Sequence, residues 1–160
     1  MEPRMTRETL DRLSGLFDPV RAHDRPTLAR QAADLIRRTG NYRWVGIYDV
    51  TDTEIAAIAW TGDVAPAFPR FPRSRGLNGV AVATRDLVIS QDVSQDPRYL
   101  TAFATTGSEA IVPVLTDRQE VVGTIDVESD RRHAFSGEDE DFLRQCASAL
   151  VPLWQSFKSR

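Results

Sequence analysis

Three acidic side chains lie in one segment, SEAIVPVLTDRQEVVGTIDVES, in which two apolar stretches flank a polar turn. Acidic residues are depleted in β-strands, yet Glu109, Asp126 and Glu128 fall within these stretches. We expect the turn to centre on Arg118 and Gln119. In that register Glu109 lies opposite Glu128, and Asp126 projects from the same face of the sheet. Opposed like charges destabilise a strand pair by up to about 1 kcal/mol, so another group must compensate these carboxylates.

Two kinds of group could compensate the acids, and the sequence leaves both open. A small ligand could supply an ammonium or other donors, with Trp44 and Tyr48 of the segment YRWVGIYDV as aromatic walls and Gly46 leaving room between them. Alternatively, covering loops could anchor on the acids through backbone N–H groups or arginine side chains, by charge-assisted hydrogen bonds. The candidate arginines are Arg70, Arg73, Arg75 and Arg98.

Asn78 is a further candidate, either as a turn residue or as a polar contact to whatever fills the pocket. The arginines of the neighbouring segment FPRFPRSRG could bind an anion such as a cyclic nucleotide, although short charge clusters are more often solvated. No glycine-rich phosphate loop follows a strand, and no motif places a histidine beside a serine. The sequence therefore gives no support for nucleotide hydrolysis or for a Ser-His-Asp triad.

Helical periodicity predicts three main helices around this hairpin. The first covers Thr6 to Phe17, and the second follows the capping residue Asp24 and stops at Gly40. The third runs from about Gly137 to about Phe157, and we expect Pro152 to kink it or shift its last turn.

Alternating patterns predict the remaining strands, at Tyr42 to Val50, Glu54 to Trp60 and, more briefly, Leu87 to Ser90, with a short helix from Gly79 to Arg85. Two long irregular stretches, Thr61 to Gly76 and Asp92 to Gly107, are of the kind that covers a site.

These elements predict a single α+β domain with a mainly antiparallel central sheet. The N- and C-terminal helices would pack on one face, and a loop-covered ligand pocket would lie on the other. The hairpin residues expected on the helix-covered face are Ala110, Val112, Val114, Val121, Ile125 and Val127.

Composition excludes several classes of function. A chain of 160 residues suits one domain, and its net charge of −3 gives no electrostatic case for nucleic acid or an anionic membrane. The start MEPRMTRETL lacks a signal-peptide core, and no stretch approaches the roughly 20 apolar residues of a membrane span, so we expect a cytoplasmic protein. One cysteine, Cys146, and two histidines, His23 and His133, argue against a disulfide, a metal site or a haem. We expect no cofactor.

Four segments carry a resemblance to a known family: YRWVGIYDV, RGLNGVAVATRDLVISQDVSQDPRY, SEAIVPVLTDRQEVVGTIDVESDR and AFSGEDEDFLRQCASAL. In this order they resemble a GAF domain, which we assign to residues 26–160, after an N-terminal helical segment at residues 1–25. The W-x-G-x-Y pattern at Trp44, Gly46 and Tyr48 is most similar to the free methionine-(R)-sulfoxide reductases within that family.

The resemblance implies a free amino acid held by pocket carboxylates and reduced by cysteine thiols. Glu109 matches the acid of the family's Ser-Glu pair, Asp126 matches the first acid of its Asp-x-Asp, and Glu128 replaces the second. Trp44 and Tyr48 match pocket aromatics.

The cysteines of the resemblance do not carry over. Asn78 stands at one expected position, and the others fall near Ala102 and Phe68. Cys146 lies on the apolar stripe of the last predicted helix, where a buried thiol is normally inert. Sulfoxide reduction needs a nucleophilic thiolate and usually a second, resolving thiol.

We therefore expect a non-catalytic sensor domain that binds an unknown small molecule. The predicted ligand-binding residues are Trp44, Tyr48, Asn78, Glu109, Asp126 and Glu128, with no catalytic residue. Two alternatives stay open: a reductase-like enzyme with altered chemistry, and a dimerisation scaffold with a filled pocket. A homodimer could form through the terminal helices, or their apolar residues could pack within one subunit. These residues are Leu10, Leu13, Leu16, Leu153, Trp154 and Phe157.

Overall fold

A six-stranded antiparallel sheet forms the centre of the protein, with strands in the order β3-β2-β1-β6-β5-β4. The structure, a computed structural model, describes residues 2–19, 23–101 and 103–155. The strands are β1 (Trp44–Val50), β2 (Glu54–Thr61), β3 (Arg70–Pro72), β4 (Val88–Ser90), β5 (Ser108–Leu115) and β6 (Val121–Ser129). This confirms the predicted single α+β domain with an antiparallel sheet.

Five helices flank the sheet: α1 (Pro3–Gly15), α2 (Arg25–Gly40), α3 (Gly76–Thr84), α4 (Gly137–Leu150) and α5 (Pro152–Gln155). The predicted cap Asp24 begins α2, since its side chain accepts a hydrogen bond from the Thr27 N–H. The helix ends at Gly40 as predicted, but the left-handed residue that ends it is Asn41 and not the glycine. Pro152 separates α4 from α5, as expected from its missing N–H. The predicted end at Phe157 lies outside the described residues.

One face of the sheet carries the main core. Side chains of α1, α2, α4 and α5 pack there against β1, β5 and β6, and Cys146 is fully buried among them. The terminal apolar residues belong to this core, because Leu13, Leu16, Leu153 and Trp154 are all buried within the subunit. Leu10 is only half-buried and Phe157 lies outside the described residues, so the homodimer through the terminal helices stays a prediction.

The opposite face is covered by α3 and the long loops. Leu77 and Ala81 of α3 pack on Ile111 and Val88, while an aromatic cluster covers the β1 and β2 end of this face. The two faces thus separate a helical core from a loop-covered side, as predicted.

The register of β5 and β6 confirms the prediction around the acids: Glu109 pairs with Glu128, and Ile111 pairs with Asp126. Strand β1 adds Trp44 opposite Glu128 and Tyr48 opposite Thr124.

One predicted position on this hairpin is wrong. The β5–β6 register shifts between Val114 and Leu115, so Val121 packs in the aromatic cluster on the loop-covered face. A bulge adds one residue to one strand, and a one-residue shift moves a side chain to the other face.

The loops also hold more structure than their sequence indicates. Strand β3 lies within the predicted loop Thr61 to Gly76 and pairs Phe71 with Ile55 of β2. Helix α3 begins three residues earlier than predicted, and the stretch Asp92 to Gly107 contains a 3-10 turn at Val93–Gln95.

None of the helices in the described ranges is long and apolar enough to cross a membrane.

Candidate functional acid pocket

The three predicted acids form one compact cluster on the loop-covered face. Glu109 on β5 and Asp126 and Glu128 on β6 each offer a carboxylate oxygen, and these oxygens all lie within 4.8 Å of one another. Glu109 and Asp126 are 5% exposed and Glu128 is 0% exposed. Because buried charges are costly unless they are compensated, the contacts of each carboxylate decide what the cluster can do.

Asn78 joins α3 to the acid cluster. Its Nδ2 donates a 3.0 Å hydrogen bond to Asp126 Oδ2, and its Oδ1 accepts a 2.6 Å hydrogen bond from Thr124 Oγ1. The Thr124 bond fixes the orientation of the amide, so its N–H group points at the carboxylate. The predicted site residue Asn78 therefore lies beside the acids, as a polar contact and not as a turn residue.

The second carboxylate oxygen of Asp126 indicates that a proton is shared within the cluster. Asp126 Oδ1 is buried, and no hydrogen bond reaches it from a donor of the described residues. Burial, together with repulsion from Asp126 and Glu128, raises the pKa of Glu109 well above its usual range. A protonated Glu109 carboxyl is then a donor beside Asp126, and one proton can be shared between the two groups.

Burial also raises the pKa of the other two acids. The pKa of Asp126 rises to about 6 through burial, opposed by hydrogen bonds from Glu109 and Asn78. The pKa of Glu128 rises to about 8 through burial and repulsion from Asp126, opposed by Arg43 and by hydrogen bonds from Thr106 and Tyr99. At neutral pH the cluster consequently carries fewer than three negative charges.

Glu128 is the acid that the 92–107 loop contacts. Tyr99 donates from its hydroxyl to Glu128 Oε1 at 3.3 Å, and Thr106 Oγ1 donates to Oε2 at 3.3 Å. Arg43 Nη2 lies 3.9 Å from the same Oε2 and donates to Thr106 Oγ1 at 2.9 Å. Loop anchoring, one of the two predicted alternatives, is therefore present at this end of the cluster.

The arginines predicted to reach the acids bond elsewhere. Arg70 pairs with Glu54, Arg73 donates to the Thr51 carbonyl, and Arg98 pairs with Asp96. Arg75 is exposed. The same contacts engage two of the three arginines of the proposed anion-binding loop.

Arg43 is the site residue that sequence reasoning missed. It precedes the first residue of β1 and belongs to no motif, although its position next to Trp44 was a signal that could have placed it.

Aromatic side chains wall the cluster along β1. The rings of Trp44 and Tyr48 have centroids 6.4 Å apart, and Trp44 also packs on Phe103 of the loop at 5.3 Å. Gly46 lies between them, but the two rings occupy the space above it, so that a Cβ there would clash with both. The expected room for a ligand at Gly46 is therefore absent from this closed arrangement.

A small cavity of about 20 Å³ adjoins Glu109 and Asp126. Its other walls include Tyr48, Asn78 and Phe68, an apolar side chain that is otherwise exposed. A cavity needs roughly 10–15 Å³ to hold one water, so this space suits a single water or a single cationic group. A larger ligand requires the covering loops to move.

The side chains of the pocket can be assessed as ligands of a metal ion and as nucleophiles. The three carboxylates could be ligands of a hard cation, but Asn78 already uses its oxygen, and Ca²⁺ takes 6–8 oxygen ligands. No thiol is near, because the one cysteine of the sequence, Cys146, lies in the helix-side core, where burial raises its pKa. The described side chains around the acids therefore offer hydrogen-bond acceptors for a cation, and none of them is a thiolate nucleophile.

Comparison with known proteins agrees with this geometry. The GAF domain family model matches residues 22–151. Free methionine-R-sulfoxide reductase of Escherichia coli is 31% identical over 124 residues, which cover 78% of this chain and 73% of that protein. Protein YtsP of Bacillus subtilis is 28% identical over 122 residues, 76% of this chain and 74% of that protein.

A solved relative has the same architecture. The type II free methionine-R-sulfoxide reductase of Thermoplasma acidophilum superposes with a TM-score of 0.76 at 33% identity, covering 84% of this chain and 97% of that one. The family match covers well over half of the chain. The chain therefore belongs to the GAF domain family, and its relatives within that family include free methionine-R-sulfoxide reductases.

Proposed function

We propose that this protein binds a small amine-bearing metabolite, of the class of free methionine or its sulfoxide, and does not reduce it with its own thiols. The observation that carries the proposal is the cluster of three buried carboxyl groups, each with an oxygen within 4.8 Å of the others. An ammonium group has three N–H donors and one positive charge. It could donate one hydrogen bond to each of the three carboxyl groups, which share protons when no ligand is bound.

Ligand binding would release protons from the carboxyl groups of the cluster, because the positive charge of the ligand would replace them. An ammonium between Glu109, Asp126 and Glu128 favours their ionised forms, since a nearby opposite charge lowers a carboxyl pKa. The complex would then hold fewer protons than the free protein. Trp44 and Tyr48 would contact the apolar part of the ligand, in line with their place beside the acids.

The loops would act as a lid, because the closed cavity is too small for an amino acid. The 92–107 loop contacts the acids through hydroxyl groups of Tyr99 and Thr106, and hydrogen bonds between uncharged groups contribute about 1 kcal/mol each. Opening it would break these two bonds and the packing of Phe103 on Trp44, and the binding of a paired cation would have to compensate both. The altered loop would be the signal that a sensor domain passes on.

Calorimetry and thermal shift of the purified protein test the proposal. The probes are free methionine, both epimers of its sulfoxide, and a cyclic nucleotide as a ligand without an amine. A probe at ~100 times its dissociation constant adds about 2.7 kcal/mol of stability. We expect stabilisation by an amine-bearing probe, lost in Glu109→Gln and retained in the matched control Glu120→Gln, which changes an exposed glutamate of the β5–β6 turn. Stabilisation by none of the probes would favour the filled-pocket scaffold.

A second candidate function, reduction of free methionine sulfoxide, is favoured by relatives of that name. Two thiols must supply two electrons as they form a disulfide, while the sulfoxide oxygen leaves as water. Because this chain has one cysteine, such a reaction would need an external dithiol as reductant. Consumption of NADPH coupled to a dithiol reductant, with the R-sulfoxide as substrate, would establish this function if it exceeds the rate without protein.

A further inference from the structure

We propose that Arg43 binds the carboxylate of the ligand and makes the pocket selective for zwitterionic α-amino acids over simple amines. This inference rests on the proposed function, because it assumes that the acid cluster holds an ammonium group. It adds a residue outside the acid cluster and a definite ligand class.

The position of Arg43 beside Glu128 carries the argument. Its Nη2 lies 3.9 Å from Glu128 Oε2, a carboxylate of the cluster. An α-amino acid bears its ammonium and its carboxylate on the same carbon atom. A ligand whose ammonium contacts the acids at the Glu128 end would thus bring its carboxylate within reach of this guanidinium, which can bind a carboxylate through two parallel hydrogen bonds.

Thr106 occupies the position that such a ligand would take. Its hydroxyl donates to Glu128 Oε2 at 3.3 Å and accepts from Arg43 Nη2 at 2.9 Å. One lid group therefore supplies a donor to the acid and an acceptor to the arginine. A zwitterion offers the same pair of functions with full charges, so it can displace the hydroxyl at a gain in hydrogen-bond strength.

The guanidinium has spare capacity for a second partner. Arg43 Nε is buried and has no hydrogen-bond partner among the described residues. The guanidinium lies over the Phe103 ring, with Cζ 4.8 Å from the centroid, and the side chain is 24% exposed. The contact with the ring restrains the guanidinium, and the buried Nε would gain a hydrogen-bond partner if the lid opened and a ligand carboxylate took the place of Thr106.

The test compares free methionine-R-sulfoxide with its methyl ester at about pH 6, where the more acidic ammonium group of the ester is still protonated and the two probes differ in charge only at the carboxylate. Calorimetry is run on the wild-type protein, on Arg43→Gln, and on Arg38→Gln, a matched control on α2 whose side chain is 74% exposed. We expect wild type to bind the free acid roughly 10- to 100-fold more tightly than the ester, the range of a charged hydrogen bond. In Arg43→Gln the free amino acid should lose its advantage in affinity, whereas the affinity for the ester should change by less than about 3-fold. Arg38→Gln should match wild type.

Two results would overturn the inference while leaving the proposed function intact. Equal affinities of acid and ester for wild type would show that no group reads the carboxylate, and this measurement needs no variant. An equal loss for both probes in Arg43→Gln would assign Arg43 to lid anchoring alone. Arg43→Lys, which keeps the charge without the two-point geometry, should retain part of the preference if Arg43→Gln does not fold. Binding of neither probe would overturn the proposed function together with the inference.

Discussion

Asn78 donates a hydrogen bond to Asp126 across the gap between α3 and β6, and Thr124 holds the amide in the orientation that this bond requires. The three side chains connect the helix on the loop-covered face to the strand that carries two of the acids. The Asn78 amide on α3 therefore stabilises the ionised form of Asp126 next to a protonated Glu109.

Replacing Asn78 tests this connection. Asn78→Leu keeps the branched shape of the side chain but leaves Asp126 Oδ2 and Thr124 Oγ1 without their buried partner, so we expect a loss of about 1–3 kcal/mol in the free energy of unfolding. Thr124→Val removes only the orienting bond and should cost less. Urea denaturation of both variants measures the difference. A wild-type stability in Asn78→Leu would mean that the hydrogen bonds to Asn78 contribute nothing net.

The acid cluster should make stability fall with rising pH. The pKa of Asp126 is raised to about 6 and that of Glu128 to about 8, whereas unfolded carboxyls titrate near 4. The native state therefore binds more protons than the unfolded state between about pH 5 and 8, and stability is lost as pH rises through this window. Carboxyl groups whose pKa is lowered, such as that of Asp96 at about 2, titrate below this pH window and do not contribute to the slope within it. Thermal melts at half-unit steps from pH 5 to 8.5 measure the slope.

Glu128→Gln is the variant that isolates this effect. It keeps an acceptor for Tyr99 or Thr106 but cannot ionise, so it should resemble wild type near pH 5 and melt at a higher temperature than wild type near pH 8.5. A melting temperature that rises with pH in both proteins would contradict the assignment of protonated acids to the cluster.

Ligand binding should show the opposite pH dependence. An amine-bearing ligand needs ionised acids, so its affinity should increase from about pH 6 to 8 as protons are lost from the free cluster. Calorimetric titrations in two buffers of different ionisation enthalpy measure the protons released. Release of about one proton or more at pH 7 is expected, and uptake of protons on binding would exclude ammonium as the bound group.

Some features of this pocket could be predicted from the sequence, because they follow from strict alternation along strands. The predicted register of Glu109 and Glu128 is confirmed, and the W-x-G-x-Y spacing places Trp44 and Tyr48 on one face. The predicted even-length turn is wrong, because Thr116 bonds to Glu120 around Arg118 and the register shift restores the pairing of the acids. Val121 was misplaced because the shift beside Leu115 depends on the local ladder and not on residue type.

Other features depend on tertiary contacts that no local pattern contains. Strand β3 has three residues, too few for a period, and forms because Phe71 pairs with Ile55. Arg43 lies beside Glu128 because β1 pairs with β6 and the Arg43 N–H donates to the Glu128 carbonyl at 3.2 Å. The 92–107 loop folds over this end of the sheet and places Thr106 and Phe103 beside the guanidinium. A sequence-based choice among the arginines favoured those in the covering loops, although the position of Arg43 next to Trp44 was a signal that could have placed it.

Gly46 is required by the aromatic wall. A Cβ at this position would clash with the rings of Trp44 and Tyr48, so Gly46→Ala must displace one of them at a cost of about 1–3 kcal/mol. We also expect weaker ligand binding, because the displaced ring moves at the site. Gly15→Ala is the matched control, since nothing lies within 4 Å of its added Cβ. Equal melting temperatures for the two variants would mean that the rings yield freely.

The single thiol gives the sharpest separation between binding and reduction. Cys146 is fully buried in the helix-side core, and burial raises its pKa, so little reactive thiolate forms at neutral pH. We expect no labelling by iodoacetamide at pH 8 in the native protein and complete labelling in urea. Cys146→Ala should bind methionine-R-sulfoxide as wild type does, because the sheet separates this residue from the acids. Rapid labelling of the native protein, or loss of a dithiol-dependent reductase activity in Cys146→Ala, would instead show that the helix-side core opens and that the thiol takes part in chemistry.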